Sequence, residues 1–331
     1  MKTRSANAMI KRSQHGLSLV ELMVAITLGL IVVGAVGYLF LGSRQTFRST
    51  DAMSRIQENA RYALQNIARN VRMAGYVGCG NLQAMTVNTI AKPPAPVLTQ
   101  ANAITGWDAG AGAVLFGLIS RPAGDAISIM GAFGGGVNLT GNVTPTNANV
   151  QISGNPNNFA AGDLLIVSNC TNADNFSATT VSNSGGTVTL AHATNANTTN
   201  WVGTYDTSAT VMKLEQYTYF IGTNPSGGRS LYRSSLSEGT VELADNVWDM
   251  QVQYGYDSTG DVDTADIYYS AGNVPDWRRV VSARISLLLV SQDNVLSSPQ
   301  TYNFNGASVP APDRRMYQVF TTTVGIRNRL S

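Results

Sequence analysis

Between Leu22 and Leu41 the chain carries no charged residue, and nearly every side chain in that interval is apolar. Twenty such residues wound as a helix cover about 30 Å, the thickness of the hydrocarbon core of a bilayer. One carboxylate, Glu21, stands at the leading edge of the run. Residues 1–16 are polar and basic, with Lys2, Arg4, Lys11 and Arg12 and no acid among them. In an ordinary secretory signal a short apolar region precedes a small-residue cleavage site. Here the apolar region is of spanning length and no A-x-A-like site closes it, so a retained transmembrane helix is expected. Arg44, Arg48, Arg55 and Arg61 follow the span, offset by Asp51 and Glu58. Charge bias therefore favours a cytoplasmic N-terminus by a small margin only. A carboxylate beside hydrocarbon is costly unless it reaches the headgroup layer or meets a cation. Glu21 is read either as an interfacial marker or as the partner of a new α-amino group created by cleavage after Gly16.

The remainder constrains the domain that hangs from this segment. Charged residues make up only 13% of 331, while Gly, Ser, Thr and Asn are abundant. That mixture suits a strand- and turn-rich domain outside the cytoplasm. Without the four basic residues of the first sixteen, 18 basic residues face 20 acidic ones, which gives no argument for nucleic-acid binding. Two cysteines, Cys79 and Cys170, both follow the apolar run. In an oxidising compartment an even pair is most simply a disulfide, and two free buried thiols are the alternative.

Past Leu41, Met53, Ile56, Ala60, Leu64, Ile67, Val71 and Ala74 recur at steps of three and four, one apolar stripe of an amphipathic helix. No proline occurs before Pro93, and Gly75 is a natural stop, so one helix is expected from Leu17 to Ala74, ~85 Å long. From about Gly80 to Asn200 the composition turns polar, with prolines at 93, 94 and 96 and glycine runs at 134–136 and 185–186. Short β-type segments (125–130, 163–168, 187–190) are bounded by turn residues there. Beyond, 211–222 and 229–233 flank the turn NPSGG and read as a hairpin, followed by strands at 241–246, 247–256, 277–290 and 316–326.

GLSLVE at 16–21, followed by the apolar run, resembles the processing signal of type IV prepilins and type II secretion pseudopilins. The resemblance implies a membrane prepilin peptidase that cuts after Gly16 and methylates Leu17, with Glu21 contacting a neighbouring subunit's N-terminus. Leu17 departs from the phenylalanine usual at that position. Residues 59–80 (NARYALQNIARNVRMAGYVGCG), LYR, LADNVWDMQVQYGYD, WRRVVSARISLLLVS and RMYQVFTTTVGIRNR are similar to the large minor pilins of the PilW family, and more distantly to the J-type minor pseudopilin. The resemblance covers the first 80 residues and most of 210–331. It implies a low-abundance subunit that joins other minor and major pilins and supports pilus assembly, adhesion and twitching-type motility.

Chemistry is sparse. Asp257, Asp261, Asp263 and Asp266 put four carboxylates in ten residues around Gly260, a composition calcium uses. The EF-hand spacing is not met, and a solvated acidic loop is the ordinary reading. His192 lies in a Thr/Asn-rich stretch without a motif, and no G-x-S-x-G, P-loop or Cys/His cluster is present, so no catalysis and no other cofactor are expected. The expected fold is α+β and pilin-like, a long N-terminal helix packed on a mostly antiparallel sheet. The divisions are a leader at 1–16, a transmembrane helix at 17–41, an amphipathic helix at 42–75, a polar β-rich insertion at 76–208 and a C-terminal sheet domain at 209–331. The expected place is the bacterial inner membrane, single-pass, with the C-terminal domain periplasmic. Expected partners are the peptidase, other pilins and the membrane, with no nucleic acid or small-molecule substrate. The alternatives are a minor pseudopilin and a membrane-anchored adhesin that uses the prepilin route, with the insertion as its binding domain.

Overall fold

A computed structural model describes residues 18–110, 121–198, 201–261 and 264–329. The helix forms as one piece, α1 (Leu19–Arg72), 54 residues without a break. It ends where the sequence supplies a residue free to adopt the left-handed conformation: Gly75 has φ +70°, and its N–H donates to the Met130 carbonyl at 2.9 Å. The chain divides into two compact units between Asp51 and Ala52.

In the first unit the helix is exposed from Ser18 to Arg48. Leu22, Ile26, Leu30, Val33 and Phe40 each keep more than half of their surface open. Gly29, Gly34, Gly37 and Gly42 have no atom within 4 Å of where a side chain would start. This stretch has no protein core of its own.

The second unit begins with the remaining turns of α1 and continues, among the described residues, through seventeen strands. They are β1 (Val87–Thr89), β2 (Ile104–Trp107), β3 (Ala126–Asn138), β4 (Asn149–Ile152), β5 (Leu164–Ser168) and β6 (Ala173–Ser177). Then come β7 (Thr180–Ser184), β8 (Thr187–Ala191), β9 (Thr210–Thr223), β10 (Arg229–Ser235), β11 (Gly239–Asp245) and β12 (Val247–Tyr256). The last are β13 (Ile267–Tyr269), β14 (Val280–Asn294), β15 (Thr301–Phe304), β16 (Ala307–Pro310) and β17 (Arg315–Gly325).

An eight-stranded sheet is built around β9. One edge of β9 pairs with β3 along its length. The other edge pairs first with β5 and then, after β9 advances, with β10. All these pairs are antiparallel, and β1 with β6 is the parallel exception. A four-stranded antiparallel sheet runs β13-β12-β14-β17, with the hairpin β15–β16 and the small sheet β4-β8-β7 beside the two larger ones. The expected hairpin over 211–233 is β9–β10, paired from Arg229 opposite Thr223 to Ser234 opposite Thr218.

One core joins helix and sheets. Ile56, Ala60, Ala63, Ile67 and Val71 of α1 cluster with Ile127 and Ile129 of β3, Tyr219 and Ile221 of β9, Met250 and Val252 of β12, and Ile285, Leu287 and Leu289 of β14. A fully buried side chain of this size contributes about 1.5–3 kcal/mol. The near-continuous apolar run of β14 follows from cover on both faces. Ile285 and Leu287 meet the helix cluster, while Leu288 and Val290 meet Tyr317, Tyr302 and Phe304. The division expected at 208/209 falls inside the eight-stranded sheet, since β9 follows it while β3 and β5 precede it. The polar stretch thus supplies strands that flank β9 rather than only decoration. A second cluster, with Phe159, Phe176, Trp201 and Tyr205, lies under the small sheet.

Candidate assembly site

The helix begins on Ser18. Its hydroxyl accepts the Glu21 N–H at 3.2 Å, and the Glu21 carboxylate accepts the Ser18 N–H at 3.1 Å. This is a reciprocal capping box, which satisfies two of the donors that every helix N-terminus leaves open. Glu21 therefore has a local task besides any contact with a neighbour, and a carboxylate in the first turn also complements the helix dipole. S-x-x-E ahead of an apolar run carries this signal in the sequence, beside the readings of Glu21 as an interfacial marker or a cation partner. Downstream, the Thr27 hydroxyl donates to the carbonyls of Met23 (3.0 Å) and Val24 (2.9 Å). The threonine of the apolar run thus keeps its hydroxyl bonded within the helix, the arrangement a helix in hydrocarbon would need. Gly16 and Leu17, the expected processing residues, lie outside the described residues.

In the second unit the helix is fixed by polar contacts as well as apolar ones. Tyr219, fully buried on β9, donates to Asn66 Oδ1 at 2.7 Å and accepts from Asn70 Nδ2 at 2.6 Å. Burial pushes the Tyr219 phenol well above its ordinary pKa. Asn59 donates to the Asp245 carboxylate at 2.7 Å, and Asn328 donates to the Ala74 carbonyl at 3.2 Å. The apolar stripe predicts which face of the helix is buried, but no local signal pairs two asparagines with a tyrosine about 150 residues away.

The segment leaving the helix is tied down covalently. Cys79 and Cys170 form a disulfide with Cα atoms 4.8 Å apart. Cys170 sits in the β5–β6 turn at φ +72°, held there by Asn169, whose side-chain oxygen accepts from the Thr171 N–H and Asn172 N–H. The bond joins the helix exit to that hairpin across 91 residues of sequence.

The acidic loop is organised from within. Asp257, buried, accepts from the Thr259 hydroxyl and the Gly260 N–H and lies 3.7 Å from the Arg279 guanidinium. Asp266 accepts from the Ser258 N–H and hydroxyl and from the Thr259 N–H, which hold its carboxyl below the usual range. Among the described residues no three His, Cys, Asp or Glu side chains are placed to hold a metal ion. Asp261 is described and belongs to the same loop, whereas Asp263 lies outside the described residues.

Two further ionisable groups had no sequence signal. Asp125 accepts from the Ala109 N–H at 3.0 Å and the Val252 N–H at 2.8 Å, linking β3 to β12, and burial raises its carboxyl to about 6. His192 is buried with its ring centre 4.2 Å from that of Trp201, and desolvation lowers its pKa.

Comparison with known proteins meets this geometry at both ends. Residues 11–37 match the family model described as prokaryotic N-terminal methylation motif, and residues 218–328 match that of type IV pilus-assembly protein W. A type IV-like pilin, TTHA1219 from Thermus thermophilus, superposes with a TM-score of 0.35 at 9% identity, over 84% of this chain and 98% of that one. No curated protein matches. The chain therefore carries a match to the methylation signal near its N-terminus and a match to the PilW model over about its last third. The signal implies a prepilin peptidase and other pilins as partners, and with the apolar helix it is consistent with inner-membrane anchoring.

Proposed function

We propose that this chain is a minor pilin that joins or primes a type IV pilus and supports its assembly, with adhesion and twitching-type motility depending on it. In this reading the leader is cut after Gly16, Leu17 is methylated, the apolar run anchors the subunit with its C-terminal domain in the periplasm, and the same run later enters a filament core. The observation that carries the reading is the division of one uninterrupted helix. Most of its exposed apolar part lies within the methylation-motif match at 11–37, and its buried part packs on strands that the PilW match covers.

Mass spectrometry of the mature protein tests it directly: a methylated Leu17 at the N-terminus is expected, and a start at Met1 or beyond Leu41 overturns it. Glu21 is separated into its two tasks by paired variants. Glu21→Gln keeps an acceptor for the Ser18 N–H but removes the charge, whereas Glu21→Ala removes both. Charge pairing across subunits predicts normal processing and failed incorporation for both variants. Incorporation rescued in Glu21→Gln would show the cap alone to be what matters.

A further inference from the structure

We propose that the outward face of α1 over residues 52–72 docks against an acidic helix face of a second, non-identical subunit; this rests on the pilin reading above. Ile56, Ala60, Ala63, Ile67 and Val71 turn one side of this stretch into the core. The opposite side exposes Arg55, Arg61, Arg69 and Arg72, with Glu58 and, one turn before Arg55, Asp51 as the acids on that side, so the excess positive charge lies at Arg61, Arg69 and Arg72. Arg55, Tyr62 and Arg69 follow one another at seven-residue steps and so fall on nearly one line along the helix. Tyr62, at the centre of that line, leaves 51% of its surface open.

Glu58 stands three residues from both Arg55 and Arg61, within reach of a helical side-chain pair. No acid occupies positions 65–76, and among the described residues no ion pair involves Arg61, Arg69 or Arg72. The helix dipole accounts for cations in the last turn, at Arg69 and Arg72, but not for Arg61 or for an exposed aromatic midway along the face. Tyrosine and arginine are the residue types that anchor protein interfaces. A second copy would oppose arginine to arginine, and like charges set against one another disfavour that pairing. The complementary occupant is a helix rich in Asp and Glu, which belongs to a different subunit.

The test places a photoreactive benzoylphenylalanine at Tyr62 of the full-length chain in cells that assemble the filament, with the crosslinked peptide identified by mass spectrometry. The expected product joins Tyr62 to a helix of another methylation-signal subunit with more Asp and Glu than Lys and Arg. Reversing Arg61, Arg69 and Arg72 to Glu lowers its yield about tenfold while cooperative melting is kept, lowered by a few degrees because two carboxylates then stand at the helix C-terminus, and converting the identified acids to Lys restores the yield. A crosslink to a second copy, to lipid alone or to nothing overturns the proposal, as does a yield indifferent to charge reversal. Mass measurement of the N-terminus in the same sample keeps the two readings apart. A mature Leu17 terminus with self-crosslinking defeats only the docking face, whereas an unprocessed terminus defeats the pilin assignment itself.

Discussion

Residues 19–51 and 52–72 belong to the same helix, yet they solve opposite problems. The first stretch exposes its leucines, isoleucines and valines, and the second buries a narrow stripe of them and turns its arginines outward. Helical hydrogen bonding is satisfied within the helix in both, so the difference lies entirely in what surrounds the side chains. A helix apolar all round suits lipid or neighbouring helices, and one with a single stripe suits a sheet. One secondary-structure element can therefore join two solvents, provided its pattern changes along its length.

A carboxylate placed in each stretch should separate the two most sharply. Ile67→Asp puts a charge into a fully buried site and is expected to abolish cooperative melting of the second unit, a loss of several kcal/mol, while the full chain still fractionates with membranes. Val33→Asp, at an exposed site, is expected to leave melting unchanged but to oppose membrane insertion by about 2.5–3.5 kcal/mol. If both variants fail in the same assay, the division of labour along the helix is wrong.

The disulfide comes next, because it closes 91 residues around the helix exit. Replacing Cys79 and Cys170 together by Ser is expected to lower stability by about 4–5 kcal/mol in the chain-entropy treatment, a fall in melting midpoint on the order of 10 °C. Tyr219→Phe is a smaller change confined to the buried half. It deprives Asn66 and Asn70 of their shared hydroxyl and is expected to cost about 1–3 kcal/mol in denaturant titrations.

The smallest expected effect is in pH. The Asp125 carboxyl titrates at about 6 in the folded chain, above its ordinary value of 3.8, so folding favours its protonated form. Its contribution is then complete below about pH 4 and is lost as pH rises through 6. Melting midpoints followed from pH 4 to 7 should show that decline in the parent chain and not in Asp125→Asn.

Legibility in the sequence followed the range of the interactions. The apolar run, the stripe from Met53 to Ala74, the stop at Gly75 and the β9–β10 hairpin depend on neighbours a few residues apart, and each is found where local pattern puts it. The cysteine pair was legible by count, since only two cysteines exist. What was missed depends on distant contacts. The pairing of β9 with β3 and β5 makes residues 126–138 and 164–177 part of the same sheet as 210–245, so deleting 76–208 would remove strands from both edges of β9. An adhesin role for that stretch is better tested by surface substitutions. Asp125 holding β12, and the asparagines holding Tyr219, carry no sequence pattern at all. The capping box is the exception: S-x-x-E is local and readable, yet a lone carboxylate beside hydrocarbon points as readily to an interfacial position or a cation partner.

The sequence by itself determined that the chain enters on a long helix, where that helix changes character and which face of its second half is buried. Those properties follow from residue spacing on a 3.6-residue period. Tertiary structure decided which strands lie beside which, and that the polar middle of the chain completes the sheet under the helix. It also decided that Glu21 is held by Ser18 and that Cys170 is presented to Cys79 by an asparagine-stabilised turn. Strand pairing and side-chain capture depend on the distances between groups in space, and linear spacing does not encode those distances.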